Sequence, residues 1–313
     1  MSKEKYAVET AALTKVYKGK AAVDHLNLQV KEGAVYGFIG RNGAGKSTTL
    51  KLLCGLLRPT EGDIRLFEKP VSDPMTARRT GCLIEATGIY PHMTALQNLI
   101  LKAKCMGLAD RESVEHVMRI TGLTHTGSKK TKHFSMGMKQ RLGIALALLG
   151  NPDLLILDEP INGLDPEGIR EIRQLFLELN QQGKTLIISS HILGELSKIA
   201  THYGIIREGC LAEQLSREDL EKKCSDYFQV QVDDVKRALT IAAEKAPALR
   251  TEICDNQTLR VYGLKEGAWL NQLFVENRIQ VNSSGFHHMD LEEYFLSRMD
   301  GMETNGKETD KND

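Results

Sequence analysis

The stretch GRNGAGKST, residues 40–48, narrows the fold of this chain more than any other. It fits G-x-x-x-x-G-K-[ST]; the apolar run AVYGFI precedes it and STTLKLLCGLL follows. A strand, a glycine-rich turn and a helix in that order make a loop whose backbone N–H groups point inward at an anion. Gly40, Gly43 and Gly45 supply the conformational freedom for the curl, and the helix N-terminus adds partial positive charge. Asn42 and Thr48 complete the loop. Lys46 is placed to bridge outer phosphates, and Ser47 to coordinate Mg²⁺.

A strand that feeds such a loop needs neighbours. LLILDEP, residues 154–160, reads as a buried strand with Asp158 at its carboxyl end, where active groups of a parallel sheet collect. Asp158 is expected to hold Mg²⁺. Glu159, next in the chain, is the candidate general base for an attacking water. Between residues 135 and 206 helices alternate with the compact apolar runs LLILD, TLIISS and YGIIRE, which predicts a parallel sheet covered by helices. Residues 6–39 read as strands broken at Lys18-Gly19 and Glu32-Gly33. Leu96, Leu99, Ile100, Ala103 and Met106 give residues 94–122 a helical stripe. In FSMGMKQRLGIALAL, Ser135 stands where a helix N-cap belongs, and Gly137 leaves the first turn open to a ligand.

After about residue 215 the pattern changes to β-α-β-β-α-β, ending in the helical DLEEYFLSR; that order matches a ferredoxin-like split motif. The expected organisation is therefore a nucleotide-binding body at 1–214, a small α+β domain at 215–300, and a polar tail at 301–313 expected to be disordered. No catalytic constellation is visible in the second domain. His287 and His288 adjoin on a predicted strand, so they point to opposite faces and make a poor metal site.

Composition removes several classes of function. Forty-one basic residues balance forty-one acidic ones in 313 residues, which does not suit a nucleic-acid-binding body or a polybasic membrane anchor. The lysines of GSKKTKHF read as a solvated loop. Six scattered cysteines without a CxxC pair argue against structural zinc and a disulfide scaffold, and fit a reducing cytosol. MSKEKYAVET lacks the apolar core of a signal peptide, and Asn151-Pro152-Asp153 breaks the most apolar region before it could span a bilayer. Any membrane role is expected to come through a partner.

The order of these motifs, from about Tyr17 to Gly209, resembles the nucleotide-binding domain of ABC transporters. The resemblance implies a P-loop α/β fold of ABC type, with a mixed sheet core, an antiparallel β subdomain and a helical subdomain. GRNGAGKST falls at the Walker A loop and LLILDE at Walker B with its catalytic glutamate, Glu159. FSMGMKQ falls at the signature motif, usually LSGGQ; Ser135 and Gly137 keep its phosphate-facing positions while Met136 and Met138 depart from it. NGLDP, with Asp165, falls at the D-loop, His191 at the switch histidine, and Tyr17 where an aromatic ring stacks on adenine. The family implies ATP and Mg²⁺, and a sandwich in which one chain's Walker A loop and a second chain's Ser135 helix enclose the same nucleotide. A second ATP-binding subunit, most simply a homodimer, and an integral-membrane permease are the implied partners. The implied place is the cytoplasmic face of the membrane.

GCLIEATGIYPHM, residues 81–93, covers the Q-loop of that family, and Glu85 stands where most members carry Gln. With no basic residue between Gly81 and Tyr90, its charge is expected to be compensated by Mg²⁺ and partly unpaired without it. A Glu here, with GMKQRLGIALALL and ISSHILGEL, resembles the subgroup of bacitracin exporters and lantibiotic-immunity transporters. The expected function is an ATPase powering a permease whose cytoplasmic helix seats near residues 85–110. The alternative is a non-transport ABC ATPase acting on ribosomes or DNA; a single nucleotide domain, zero net charge and no coiled-coil insertion stand against it. A small-molecule kinase leaves FSMGMKQ and NGLDP unexplained.

Overall fold

Leu154, Leu155, Ile156 and Leu157 are completely buried, so their strand must be covered on both faces. In the computed structural model, which describes residues 5–85, 88–108, 111–224, 226–264, 266–287 and 291–300, this strand lies inside a six-stranded sheet. The strand order is Cys210–Ser216, His202–Arg207, Val35–Ile39, Thr185–Ser190, Leu154–Asp158, Thr80–Leu83. All neighbours are parallel except the Cys210–Ser216 edge strand, which returns as a hairpin. The register sets Asp158 beside Ser189 and Ile39 beside Ser190, so the ends of three strands converge on one edge.

A second, antiparallel sheet is built around Tyr6–Tyr17, which pairs with Lys20–Leu26, Gln29–Lys31 and Glu61–Leu66; Lys69–Pro70 extends it. The expected strand AVDHLNLQV is split in two, with Asn27 Oδ1 accepting from the Ala12 N–H at the break. Leu26, Leu28, Val30, Ile64 and Leu66 share a core with Tyr36, Phe38, Leu50 and Leu53, which fixes this sheet against the phosphate-loop helix Lys46–Leu53.

Three helices, Ala95–Cys105, Arg111–Ile120 and Met136–Leu148, pack on one another, and the last also lies on Thr80–Leu83. Their starts are chemically defined. Thr94 and Gln97 form a reciprocal capping box, and Ser135 Oγ accepts from the Met138 N–H at 3.2 Å. The helix Pro166–Gln181 begins behind Asp165, whose Oδ1 accepts from Gly168 N–H at 3.0 Å; Ile172, Leu175, Phe176 and Leu179 form its buried stripe.

The chain divides into two units, Met1–Arg217 and Glu218–Asp313. The division falls a few residues beyond 214 because the strand Cys210–Ser216 stays paired with His202–Arg207 to its end. The second unit is a four-stranded antiparallel sheet in the order Arg250–Ile253, Thr258–Tyr262, Tyr227–Val232, Val281–His287. Phe228, Val230 and Val232 alternate onto one face and pack with Ala238, Ile241, Ala242, Leu270 and Phe274 of two helices. That order and alternation are those of a ferredoxin-like split motif. His287 stacks on Tyr227 with ring centroids 5.7 Å apart; His288 and residues 301–313 lie outside the described residues.

Candidate active site

The phosphate loop runs from the buried strand Val35–Ile39 into the helix that starts at Lys46. Gly45 carries φ +107°, and a Cβ there would lie 2.5 Å from the Ala22 carbonyl oxygen, so no other residue fits. Gly43 also has positive φ, but the space a Cβ would take is open. The loop is tight against the protein at one glycine and accessible at the other. It opens on a cavity of about 220 Å³ lined by Ala22, Asn42, Gly43, Gly45, Lys46, Ser47, Thr48, Asp158 and Glu159.

Lys46 is 7% exposed and donates to the carbonyls of Gly40 at 2.6 Å and Arg41 at 3.1 Å. Burial lowers its pKa, while the charges of Glu159 and Asp158 hold it up. A buried cation hydrogen-bonded to loop carbonyls, beside inward-facing amides, makes a site for a polyphosphate. Among the described residues no group of three His, Cys, Asp or Glu side chains is arranged for a metal. Ser47 and Asp158 nevertheless line the same cavity, and one hydroxyl with one carboxylate suits Mg²⁺, which takes its other oxygens from phosphate and water.

Asp158 and Glu159 are held from below. Ser189, fully buried on the neighbouring strand, donates to Asp158 Oδ1 at 2.5 Å and accepts the Glu159 N–H at 2.9 Å. Gln140 Nε2 donates to the Glu159 carbonyl at 3.1 Å. Glu159 has φ +49°, a costly conformation for a non-glycine residue, and these bonds fix it on both sides of its Cα. Its Oε2 meets His191 Nδ1 at 2.8 Å. Ser189 and Gln140 were not among the residues expected from sequence. The polar end of TLIISS was the available signal for the first, and the register of the sheet is what gives it meaning.

The remaining expected residues lie elsewhere. Tyr17 ends its strand 46% exposed, with Lys15 Nζ 5.3 Å from the ring centroid, and does not line the cavity. Ser135, Gly137 and Asp165 occupy two helix starts that are likewise absent from its lining. Glu85 is a correction. Its carboxylate is not partly unpaired: Lys51 Nζ lies 2.6 Å away, supplied by the phosphate-loop helix rather than by the local sequence. In this arrangement Glu85 does not line the cavity.

A family model described as ABC transporter matches residues 23–162. The bacitracin transport ATP-binding protein BcrA of Bacillus licheniformis is 42% identical over 298 residues, covering 94% of this chain and 97% of the relative. The chain belongs to the ATP-binding proteins of ABC transporters. A second bacitracin transport ATP-binding protein, from Enterococcus faecalis, is 37% identical over 95% of this chain and 97% of its own length. The lantibiotic transport ATP-binding protein SrtF of Streptococcus pyogenes is 40% identical over 72% of this chain and 97% of its own. Among solved structures, an ATP-binding subunit of an ABC transporter superposes with a TM-score of 0.63 at 29% identity, covering 69% of this chain and 92% of that one. A dimeric ATP-binding cassette in a post-hydrolysis state, bound to ADP and Pi, superposes at 0.62 with 25% identity, covering 67% of this chain and 98% of that one. An ABC subunit of this kind binds and hydrolyses ATP on behalf of a permease and works in pairs. No helix among its described residues is long and apolar enough to cross a membrane.

Proposed function

We propose that this ABC ATPase drives export of, or resistance to, a peptide antibiotic of the bacitracin type. The observation that carries the reading is the extent of the similarity. The bacitracin transport proteins match this chain at 94–95% coverage, through both of its units, whereas the lantibiotic protein covers 72%. A shared C-terminal unit therefore favours the bacitracin type over the lantibiotic type.

In the mechanism that fits this site, two copies of the chain close on ATP. The phosphate loop and Lys46 of one copy hold the phosphates, and the Ser135 helix start of the other faces them, so two sets of backbone N–H groups meet one anion. Ser47 and Asp158 are the residues that would hold Mg²⁺, which would neutralise phosphate charge. Glu159 accepts the proton of the attacking water, and His191 orients its carboxylate. Tyr17 offers a ring face to adenine, and Asp165 fixes the start of its helix near the dimer seam. Closure with ATP and opening after hydrolysis follow from the different affinity of the two states for the nucleotide.

The groove for the permease is the apolar depression of about 530 Å³ that includes Leu83, Ile84, Gly88, Tyr90, Leu101 and Met106. Tyr90 is 57% exposed there, a large apolar surface suited to a cytoplasmic helix of the membrane partner. The chain then sits on the cytoplasmic side of the membrane, held through that partner. The test is affinity capture from solubilised membranes, followed by susceptibility assays in cells carrying the chain and its captured permease. Recovery of a hydrophobic subunit, and bacitracin tolerance abolished by Glu159→Gln, are expected. Recovery of rRNA or DNA in its place, or tolerance unaffected by the variant, overturns the reading.

A further inference from the structure

Cys54 caps the C-terminal end of the phosphate-loop helix and packs against the core that holds Leu50, Leu53, Leu154 and Ile156. Cys82 stands on the strand Thr80–Leu83, in parallel register with Ile156. Side chains in register on neighbouring strands share a face, so Cys82 points to the face that the phosphate-loop helix covers. Its neighbour Gly81 faces the other way, where a Cβ would meet the Ala147 carbonyl oxygen of the helix Met136–Leu148. Both cysteines are free thiols, and the Cys54 thiol donates a hydrogen bond to the Cys82 sulfur. They differ in access. Cys54 is half-buried, whereas Cys82 is exposed and lines the apolar groove.

We propose that Cys82 and Cys54 form a hydroperoxide-responsive dithiol, a modification site that closes into a disulfide between the strand Thr80–Leu83 and the end of the phosphate-loop helix. In the first step the Cys82 thiolate attacks the terminal oxygen of the hydroperoxide. An S–O bond forms, the O–O bond breaks, and the sulfur gives up two electrons; the alkoxide or hydroxide that leaves takes a proton from water. In the second step the Cys54 sulfur attacks the sulfenic sulfur. The S–S bond forms, the S–O bond breaks, and the Cys54 proton leaves with the hydroxide as water. Two thiols and one hydroperoxide thus give one disulfide, one water and one alcohol or second water. Access assigns the roles: the exposed sulfur meets the oxidant first, and the half-buried one resolves it. The Cys82 thiol is also drawn down to about 7, chiefly by the hydrogen bond from Cys54, so its thiolate is plentiful at neutral pH. Cys54 is held up chiefly by that same bond, with burial and the Cys82 charge adding to it. The charge vanishes once Cys82 is a neutral sulfenic acid, which frees Cys54 to react. Neither sulfur lines the phosphate cavity, so the bond alters the groove wall and spares the nucleotide.

The experiment treats the full chain with hydrogen peroxide at neutral pH, digests it with trypsin and maps the products by mass spectrometry. The expected product is peptide 52–65 joined to peptide 80–102, two hydrogens lighter than the separate pair and returned to it by dithiothreitol. Cys54→Ser is expected to lose the link and leave Cys82 as a sulfenic acid that dimedone captures. Cys82→Ser is expected to leave Cys54 unoxidised. Mapping the parent chain decides the pairing without either variant. Cys82 oxidised to the sulfinic acid, or joined to Cys105 across the groove, with Cys54 still free, overturns it. Cys82 left as the thiol under peroxide that oxidises the other exposed cysteines overturns the site itself. The oxidised chain is expected to bind a fluorescent ATP analogue with the affinity of the reduced one. Binding lost on oxidation and recovered with dithiothreitol overturns the claim that the bond spares the phosphate cavity.

Discussion

His191 Nδ1 and Glu159 Oε2 stand 2.8 Å apart, joined across the ends of two strands of the parallel sheet. The pair engages one oxygen of Glu159, a residue that lines the cavity. Glu159→Gln keeps the shape but cannot accept a proton. We expect hydrolysis to fall about 10²- to 10⁴-fold, with ATP binding retained and a nucleotide-bound dimer accumulating on size exclusion. His191→Ala is expected to lower turnover without abolishing ATP binding. Normal hydrolysis by Glu159→Gln in steady-state assays would reject Glu159 as the base.

Ser189 holds both catalytic-end carboxylate residues through one hydroxyl, donating to Asp158 and accepting from the Glu159 N–H. Ser189→Ala leaves a buried amide and a mostly buried carboxylate short of a partner. The expected loss is about 1–3 kcal/mol, seen as an earlier urea midpoint of the N-terminal unit, together with weaker Mg²⁺-dependent ATP binding. Identical unfolding curves for variant and parent would show that these bonds carry no stability.

The parts of the site that could be read from sequence are those built by local spacing. GRNGAGKST specifies its own turn and helix start, and the apolar run before Asp158 specifies a buried strand. Ser135 was legible for the same reason, since an N-cap acts on an amide three residues away; Asp165 was placed by the family resemblance, and its capping of Gly168 emerges only from the structure. Ser189 was not, because its meaning lies in the register Asp158–Ser189, and register is set by the whole sheet. Lys51 and Glu85 are 34 residues apart in the chain and meet only through the fold. The strand Glu61–Leu66 went unread for another reason. EGDIRL buries only Ile64 and Leu66, and its pairing with Tyr6–Tyr17, not its own propensity, makes it a strand.

Ser135 caps the helix Met136–Leu148 and lies outside the cavity of its own chain. If its role is to face a nucleotide held by a second copy, a bulky cation there blocks closure and spares the phosphate loop. Ser135→Arg is accordingly expected to bind ATP with unchanged affinity, to remain monomeric in the Glu159→Gln background, and to lose nearly all hydrolysis. Analytical ultracentrifugation with ATP reads the outcome. A dimer of normal affinity, turning over at the parental rate, would contradict the two-copy site.

Cys82 lines the apolar groove, and its thiol is drawn down to about 7. The main cause is a hydrogen bond from the Cys54 thiol; the Lys102 ammonium helps, and burial opposes both. The same bond pushes Cys54 up, since its proton is the one being shared. A depressed pKa means that the reactive thiolate grows as pH rises through about 7 and is lost below it. Iodoacetamide labelling of Cys82, followed by peptide mass spectrometry, should therefore rise with a midpoint near that pH. Cys54→Ala removes the donor and should move the midpoint upward, toward the ordinary thiol range. The adduct fills the groove, so labelled protein should keep its own ATP hydrolysis while failing to couple to the permease. An unchanged midpoint in Cys54→Ala would sink the assigned cause, and full coupling by the labelled chain would move the docking surface elsewhere.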